Sequence, residues 1–215
     1  MKAMFTGTIL ICILVAISGE AGADNRPQSR IHVGAKGGVS FATLSGDPYT
    51  AYDARIGFSA GVFVSIPVAR NVSIQPEILY RQKGAKTSGY CNDLPTNWTL
   101  KLDYVEVPVL LSVTMSTAGN VTPRLFLGPA VAFKASFRQE AKNQNAAVSV
   151  DIRGIRTQEL CFVVGAGMDF PFSSGTLSIE ACMTPSLKSI HENDLGADLK
   201  NIGYSLLLGF SPGRR

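Results

Sequence analysis

From residue 31 onward the chain repeats one pattern: runs of about ten residues in which apolar side chains alternate with small or polar ones, each closed by turn residues. The last run is the cleanest. Tyr204, Leu206, Leu208 and Phe210 share one parity, and Gly203, Ser205, Leu207, Gly209 and Ser211 share the other. A period of two is the signature of a β-strand with two unlike faces, so the chain is committed to sheet before composition is considered.

Eight runs are read in this way. They span roughly 31–44, 55–66, 72–86, 100–114, 124–138, 159–170, 176–187 and 201–211. The sixth has room to begin earlier, because Val148, Val150 and Ile152 keep its parity. In the second, Ile56, Phe58, Ala60, Val62, Val64 and Ile66 form an unbroken apolar face. In the fourth, Val105, Val107, Val109, Leu111 and Val113 do the same, and in the fifth the outward set is Leu125, Leu127, Val131, Phe133 and Phe137. The links near Asn71, Asn120 and Ser174 are tight. Those over 45–53, 87–99, 139–156 and 188–199 are long and polar, so short and long connections alternate as in an up-and-down barrel.

Alternation alone does not separate a soluble barrel from a transmembrane one; the non-apolar face does. A soluble barrel would carry Lys, Glu and Thr there to meet water. Here that face is chiefly Gly, Ser and Ala with isolated charges, which suits a crowded interior. The apolar faces have the roughly ten residues a tilted strand needs to cross the hydrocarbon layer. The fold expected is all-β, a closed antiparallel eight-stranded transmembrane β-barrel of the bacterial outer membrane.

The N-terminus agrees with export. Lys2, an apolar stretch from Ile9 to Ile17 and the small residues Ala21-Gly22-Ala23 form a signal peptide, with cleavage expected after Ala23. Residues 1–23 are then the signal and 24–215 one barrel domain. Lys2 and Glu20 leave together, so the net charge of +4 is unchanged. Charges of both signs are interspersed, which excludes a nucleic-acid footprint. Hydrophobic residues make up 46% of the chain, yet beyond the signal they form no long unbroken run, so transmembrane helices are excluded and strands are not.

Chemistry-bearing residues are sparse. The polar face carries Lys36, Glu77, Arg81, Glu106, Arg124, Lys134, Asp169 and Glu180. An eight-stranded barrel is just wide enough for side chains to fill, so these ions must neutralise one another. Lys36, Glu77, Arg81, Glu106, Lys134 and Glu180 are expected to form a polar network in the lumen, a rigid plug, with a gated ion or proton path as the sharper alternative. Four prolines, Pro76, Pro108, Pro129 and Pro185, fall inside the runs. Each removes a ladder hydrogen bond, so they are expected at bulges or strand ends.

His32 and His191, the two histidines, lie in different parts of the barrel, and His191-Glu192-Asn193-Asp194 lacks the second histidine of a zinc helix. Ser186, Ser189 and His191 imitate the Ser and His pair of a lipid-modifying barrel, but a loop coincidence accounts for them better. Gly34, Gly37 and Gly38 have no following Lys-Ser or Lys-Thr and read as packing glycines. Past the signal, Cys91, Cys161 and Cys182 offer no metal or redox pair. Cys161 and Cys182 share a face on adjacent strands, which leaves a cross-strand bridge open, though two small buried side chains are the simpler reading. No metal, cofactor or catalytic residue is expected.

Several segments resemble a known group. Residues 34–41 (GAKGGVSF), 74–84 (IQPEILYRQKG) and 102–108 (LDYVEVP), with Leu127-Gly128-Pro129 and 177–181 (LSIEA), are similar to the bacterial outer-membrane β-barrel domain called porin-family or PorT-like. The resemblance covers nearly the whole chain after the signal. It implies an integral outer-membrane protein typical of Bacteroidetes-like bacteria, and it accommodates Pro76 and Pro108. Cys182 departs from it, standing where such proteins often carry a long polar or basic side chain beside Glu180. The function expected is a non-enzymatic structural or interaction role through the extracellular loops, with outer-membrane lipid, lipopolysaccharide and envelope proteins as partners. A PorT-like accessory factor of a secretion machine, a narrow ion channel and a lipid-modifying enzyme are the alternatives.

Overall fold

The structure is a computed structural model and describes residues 31–45, 53–91, 94–115, 120–142, 147–151, 157–187 and 200–213. The signal peptide, His191 and most of the connections over 45–53 and 188–199 lie outside these residues.

Every described element is a strand: β1 (His32–Ser45), β2 (Asp53–Ala69), β3 (Val72–Cys91), β4 (Leu94–Thr114), β5 (Thr122–Lys142), β6 (Ala147–Asp151), β7 (Gln158–Phe172), β8 (Gly175–Pro185) and β9 (Lys200–Pro212). Eight of them close a ring in the order β1-β2-β3-β4-β5-β7-β8-β9, with β9 returning antiparallel to β1. Closure leaves no sheet edge in the hydrocarbon layer, where a free N–H or C=O would have no partner.

Alternation translates into sidedness as expected. On β9, Tyr204, Leu206, Leu208 and Phe210 are exposed and Ser205, Leu207, Gly209 and Ser211 buried. Val62 is 53% exposed and Leu125 50%, values that only a lipid-facing wall explains in so apolar a set. Aromatic rings mark the outer rim of this belt: Phe41 sits opposite Tyr204, and Phe58 lies 5.5 Å from Tyr80 between ring centres.

The tall side of the barrel was not foreseen. Residues 87–99 and 139–156 read as long loops, whereas β3 and β4 stay paired to Cys91↔Leu94, and β5 continues to Lys142 with β6 alongside it. β3, β4 and β5 have 20, 21 and 21 residues against 11 in β8. Beyond the membrane a hairpin no longer needs an apolar face, so the alternation that announces a strand fades while the backbone ladder persists. Val148 and Val150 accordingly belong to β6, a separate strand on β5, rather than to the start of the sixth run. Ile152 lies outside the described residues.

Phe137 is a second correction. It points inward, 3% exposed and edge-on to Tyr104 at 5.1 Å. Asp103 pairs with Ser136 but Tyr104 with Lys134, so a bulge at Ala135 advances β5 by one residue and exchanges its faces.

The prolines are a third. Pro185 ends β8 as expected, but Pro76, Pro108 and Pro129 lie within strands, and the register is the same on either side of each. Each interrupts the ladder on one side alone. The β2–β3 ladder lapses between Phe63↔Glu77 and Ile66↔Ile74, beside Pro76. The β3–β4 ladder lapses between Pro76↔Val109 and Leu79↔Glu106, beside Pro108. The β4–β5 ladder lapses between Pro108↔Ala130 and Leu111↔Leu127, beside Pro129. A proline lacks one N–H, and that N–H serves one neighbour, so the opposite ladder continues without a bulge.

Candidate functional site: the polar lumen

Inward side chains fill the barrel in two ionic layers. In the lower one, toward the short turns, Lys36 on β1 holds Glu77 of β3 at 2.6 Å and Glu180 of β8 at 2.9 Å. Arg124 on β5 contacts Glu180 through Nη2, Asp169 of β7 at 3.1 Å through Nε, and Gln75 at 3.2 Å through Nη1. Gln75 Nε2 donates to Glu77 Oε1 at 2.6 Å, so the chain of contacts closes into a ring. Phe63 lies against the Lys36 ammonium, its ring centre 5.6 Å away, and it fits because residue 34 is glycine: a Cβ there would strike the ring edge.

The upper layer gathers around Glu106 of β4, which has no exposure. Lys83 meets it at 2.5 Å and Arg81 at 3.2 Å. Arg81 also crosses the lumen to Thr184 on β8, and the Lys83 ammonium lies 3.9 Å from Cys161 Sγ and 5.4 Å from the Tyr104 ring centre. Leu79 on β3 and Cys182 on β8, each one inward step from both layers, separate the two. Charges this deeply buried persist only because every one faces an opposite charge, since removing one partner from such a pair costs about 3–5 kcal/mol.

Five of the six residues expected in the network are therefore placed in it: Lys36, Glu77 and Glu180 below, Arg81 and Glu106 above. Lys134 is not. It is exposed, with its ammonium 4.7 Å from the Phe137 ring centre, because it stands in the bulge, where Lys134 and Ala135 together lie opposite Tyr104. Glu180, two residues before the departure at Cys182 on the same strand, takes Lys36 and Arg124 as partners. Three lumen charges were missed. Lys83 keeps the inward parity of Glu77 and Arg81 and could have been read from it. Arg55 and Glu159 stand at strand starts, where parity has no preceding residue to anchor it. Arg55 faces Asp103 at 3.6 Å, and Glu159 is buried beside Tyr104 in the field of Lys83.

Cys161 and Cys182 are free and buried. Cys161 bridges to Ser186 while Cys182 pairs with Gly165, an offset of four residues and about 13 Å along the strand, too far for a disulfide. Ser186 is buried in the wall and Ser189 and His191 lie outside the described residues, so no hydrolytic pair is assembled among those described. No cluster of three or more His, Cys, Asp or Glu suited to a metal occurs among them either.

A closed ring of eight antiparallel strands, apolar outside and ionic within, defines an integral β-barrel of the bacterial outer membrane. The chain belongs to the family described as the outer membrane protein beta-barrel domain, which matches residues 22–192. Among solved structures it is similar to the Neisserial surface protein A, at 12% identity over 84% of this chain and 96% of that one, with a TM-score of 0.44. It is also similar to Ail, the attachment invasion locus protein of Yersinia pestis (14%, 84% and 97%, TM-score 0.44). The N-terminal β-barrel domain of Pseudomonas aeruginosa OprF aligns at 11% identity over 83% and 96%, with a TM-score of 0.36. No curated protein matches the chain.

Proposed function

We propose that this barrel is a non-enzymatic outer-membrane protein whose lumen is a structural plug and whose work is done by its extracellular side, in contact with lipopolysaccharide or envelope partners. The observation that carries the reading is the crossing of the lumen by Arg81–Thr184 and Lys83–Cys161 above Glu77–Lys36–Glu180, with Leu79 between: side chains occupy the path a solute would take. What remains for recognition is the outer end, where β3 to β6 rise past the other strands as a sheet. That sheet is ordered by backbone pairing rather than by membrane burial, which suits a surface meant to meet something else.

Planar-bilayer recording tests this. Purified protein is expected to show no steady conductance steps. A steady conductance that Glu106→Gln alters would replace the plug with an ion path. Co-purification from native membranes supplies the second arm: a partner retained by the full chain is expected to be lost when residues 88–97 are replaced by a two-residue turn.

A further inference from the structure

The short-turn end of the lumen opens into a cavity of about 300 Å³, the lower end of the size range for small-molecule sites. Its wall is rich in hydroxyls, among them Ser112, Thr122 and Ser178, and its mouth carries Arg70 and His32, both exposed. We propose that this cavity binds a small hydroxyl-bearing anion, a sugar carrying a phosphate or a carboxylate, from the periplasmic side.

The groups left uncommitted decide the sign. Arg124 is spent: it pairs with Asp169 at 3.1 Å and with buried Glu180, and donates to Gln75 at 3.2 Å. Asp169, the one carboxylate among the described residues of the lining, is spent on the same guanidinium. Arg70, in the tight turn between β2 and β3, forms no ion pair with any described residue, and neither does His32. The charge without a counter-charge at this end is therefore basic and stands at the mouth. A guanidinium takes a phosphate or carboxylate through two parallel N–H bonds, and an imidazole beside it supplies at least one N–H in either protonation state. Solvent screens Arg70 only until a ligand covers it.

The deeper wall calls for hydroxyls. Asp169 gives Oδ1 to Arg124 and keeps 23% of its side chain open, so Oδ2 is left to accept a hydrogen from a neutral donor. Ser112, Thr122 and Ser178 both donate and accept, which suits a ligand that does the same. An anionic group at that depth would meet Asp169 as a like charge, and this orients the ligand: acid end outward at Arg70, hydroxyl end inward.

Glucose 6-phosphate and gluconate are the probes, with glucose as the uncharged control, each titrated into isotope-labelled protein in phosphatidylcholine nanodiscs and followed by amide shifts. Shifts are expected at Arg70, Thr122 and Ser178. Glucose is expected to bind at least about tenfold more weakly than the better anion, the worth of one charge-assisted hydrogen bond. Binding of glucose 6-phosphate alone supports the proposal and assigns the acid end to phosphate; binding of gluconate supports it and assigns that end to carboxylate. Arg70→Gln, in an exposed turn outside the buried ion pairs, should abolish the discrimination against glucose. Thr176→Leu, on the cavity wall, narrows the space and should weaken the anion itself. Absence of shifts with both anions, glucose binding as tightly as they do, or discrimination that survives Arg70→Gln overturns the proposal. None of these results bears on the extracellular reading, which concerns the other end of the barrel.

Discussion

Arg81 on β3 donates from Nη1 to Thr184 Oγ1 on β8 at 2.7 Å, joining two strands that are not neighbours in the ring. The same guanidinium faces Glu106 through Nε, so a single side chain links three walls of the barrel. A barrel stapled through its own lumen resists flattening, and its stability rests on those buried contacts.

Glu106→Ala should be the most damaging single change in the lumen. It leaves both Arg81 and Lys83 buried without a counter-charge, at a cost of about 3–5 kcal/mol. Urea unfolding in lipid vesicles measures this, with Glu106→Gln expected to recover only part of the loss.

Glu140→Ala breaks an ion pair of similar length, to Lys101 at 2.5 Å, yet its partners are 36% and 42% exposed. Solvent screening should hold the effect to about 1 kcal/mol or less. The contrast with Glu106 in the same assay separates burial from mere pairing.

Val109→Arg places a charge on the lipid-facing wall, within the apolar run Val105 to Val113 of β4. It should destabilise the inserted barrel by about 2–4 kcal/mol, whereas Ser88→Arg, on the exposed hairpin beyond the membrane, should change little.

Gly84→Ala should impair the upper β3–β4 hairpin. Residue 84 has φ of 132°, and a Cβ there would strike the Leu100 carbonyl, so about 1–3 kcal/mol of strain is expected. Amide exchange confined to residues above 84 would register it while the membrane-embedded amides stay protected.

The membrane-spanning part was legible because lipid imposes one rule on every outward position: Val62, Val109 and Leu206 announce their side by type alone. The lumen was legible as far as parity could be counted without a break, which found Lys36, Glu77 and Arg81 and misassigned Phe137 beyond the bulge at Ala135. Lys134 was misjudged at the same place: it stands in the bulge itself, where it and Ala135 together lie opposite Tyr104 and both are exposed, so its parity no longer assigns it to the lumen. The hairpin over 87–99 was invisible because polar strands in water are held by backbone bonds that leave no mark on side-chain choice. The cavity at the short-turn end draws its lining from all eight strands of the ring, a convergence that no local spacing records.

The central claim is that valine and leucine faces meet acyl chains while ions and small residues occupy the tube. Spin labels on single cysteines at Val62, Val109, Ala130 and Ser205, in the barrel reconstituted in lipid, test it most directly. Positions 62 and 109 are predicted to be accessible to oxygen and shielded from a water-soluble nickel chelate, and positions 130 and 205 to be shielded from oxygen. Chelate access at 62 and 109, with oxygen access at 130 and 205, would contradict the account.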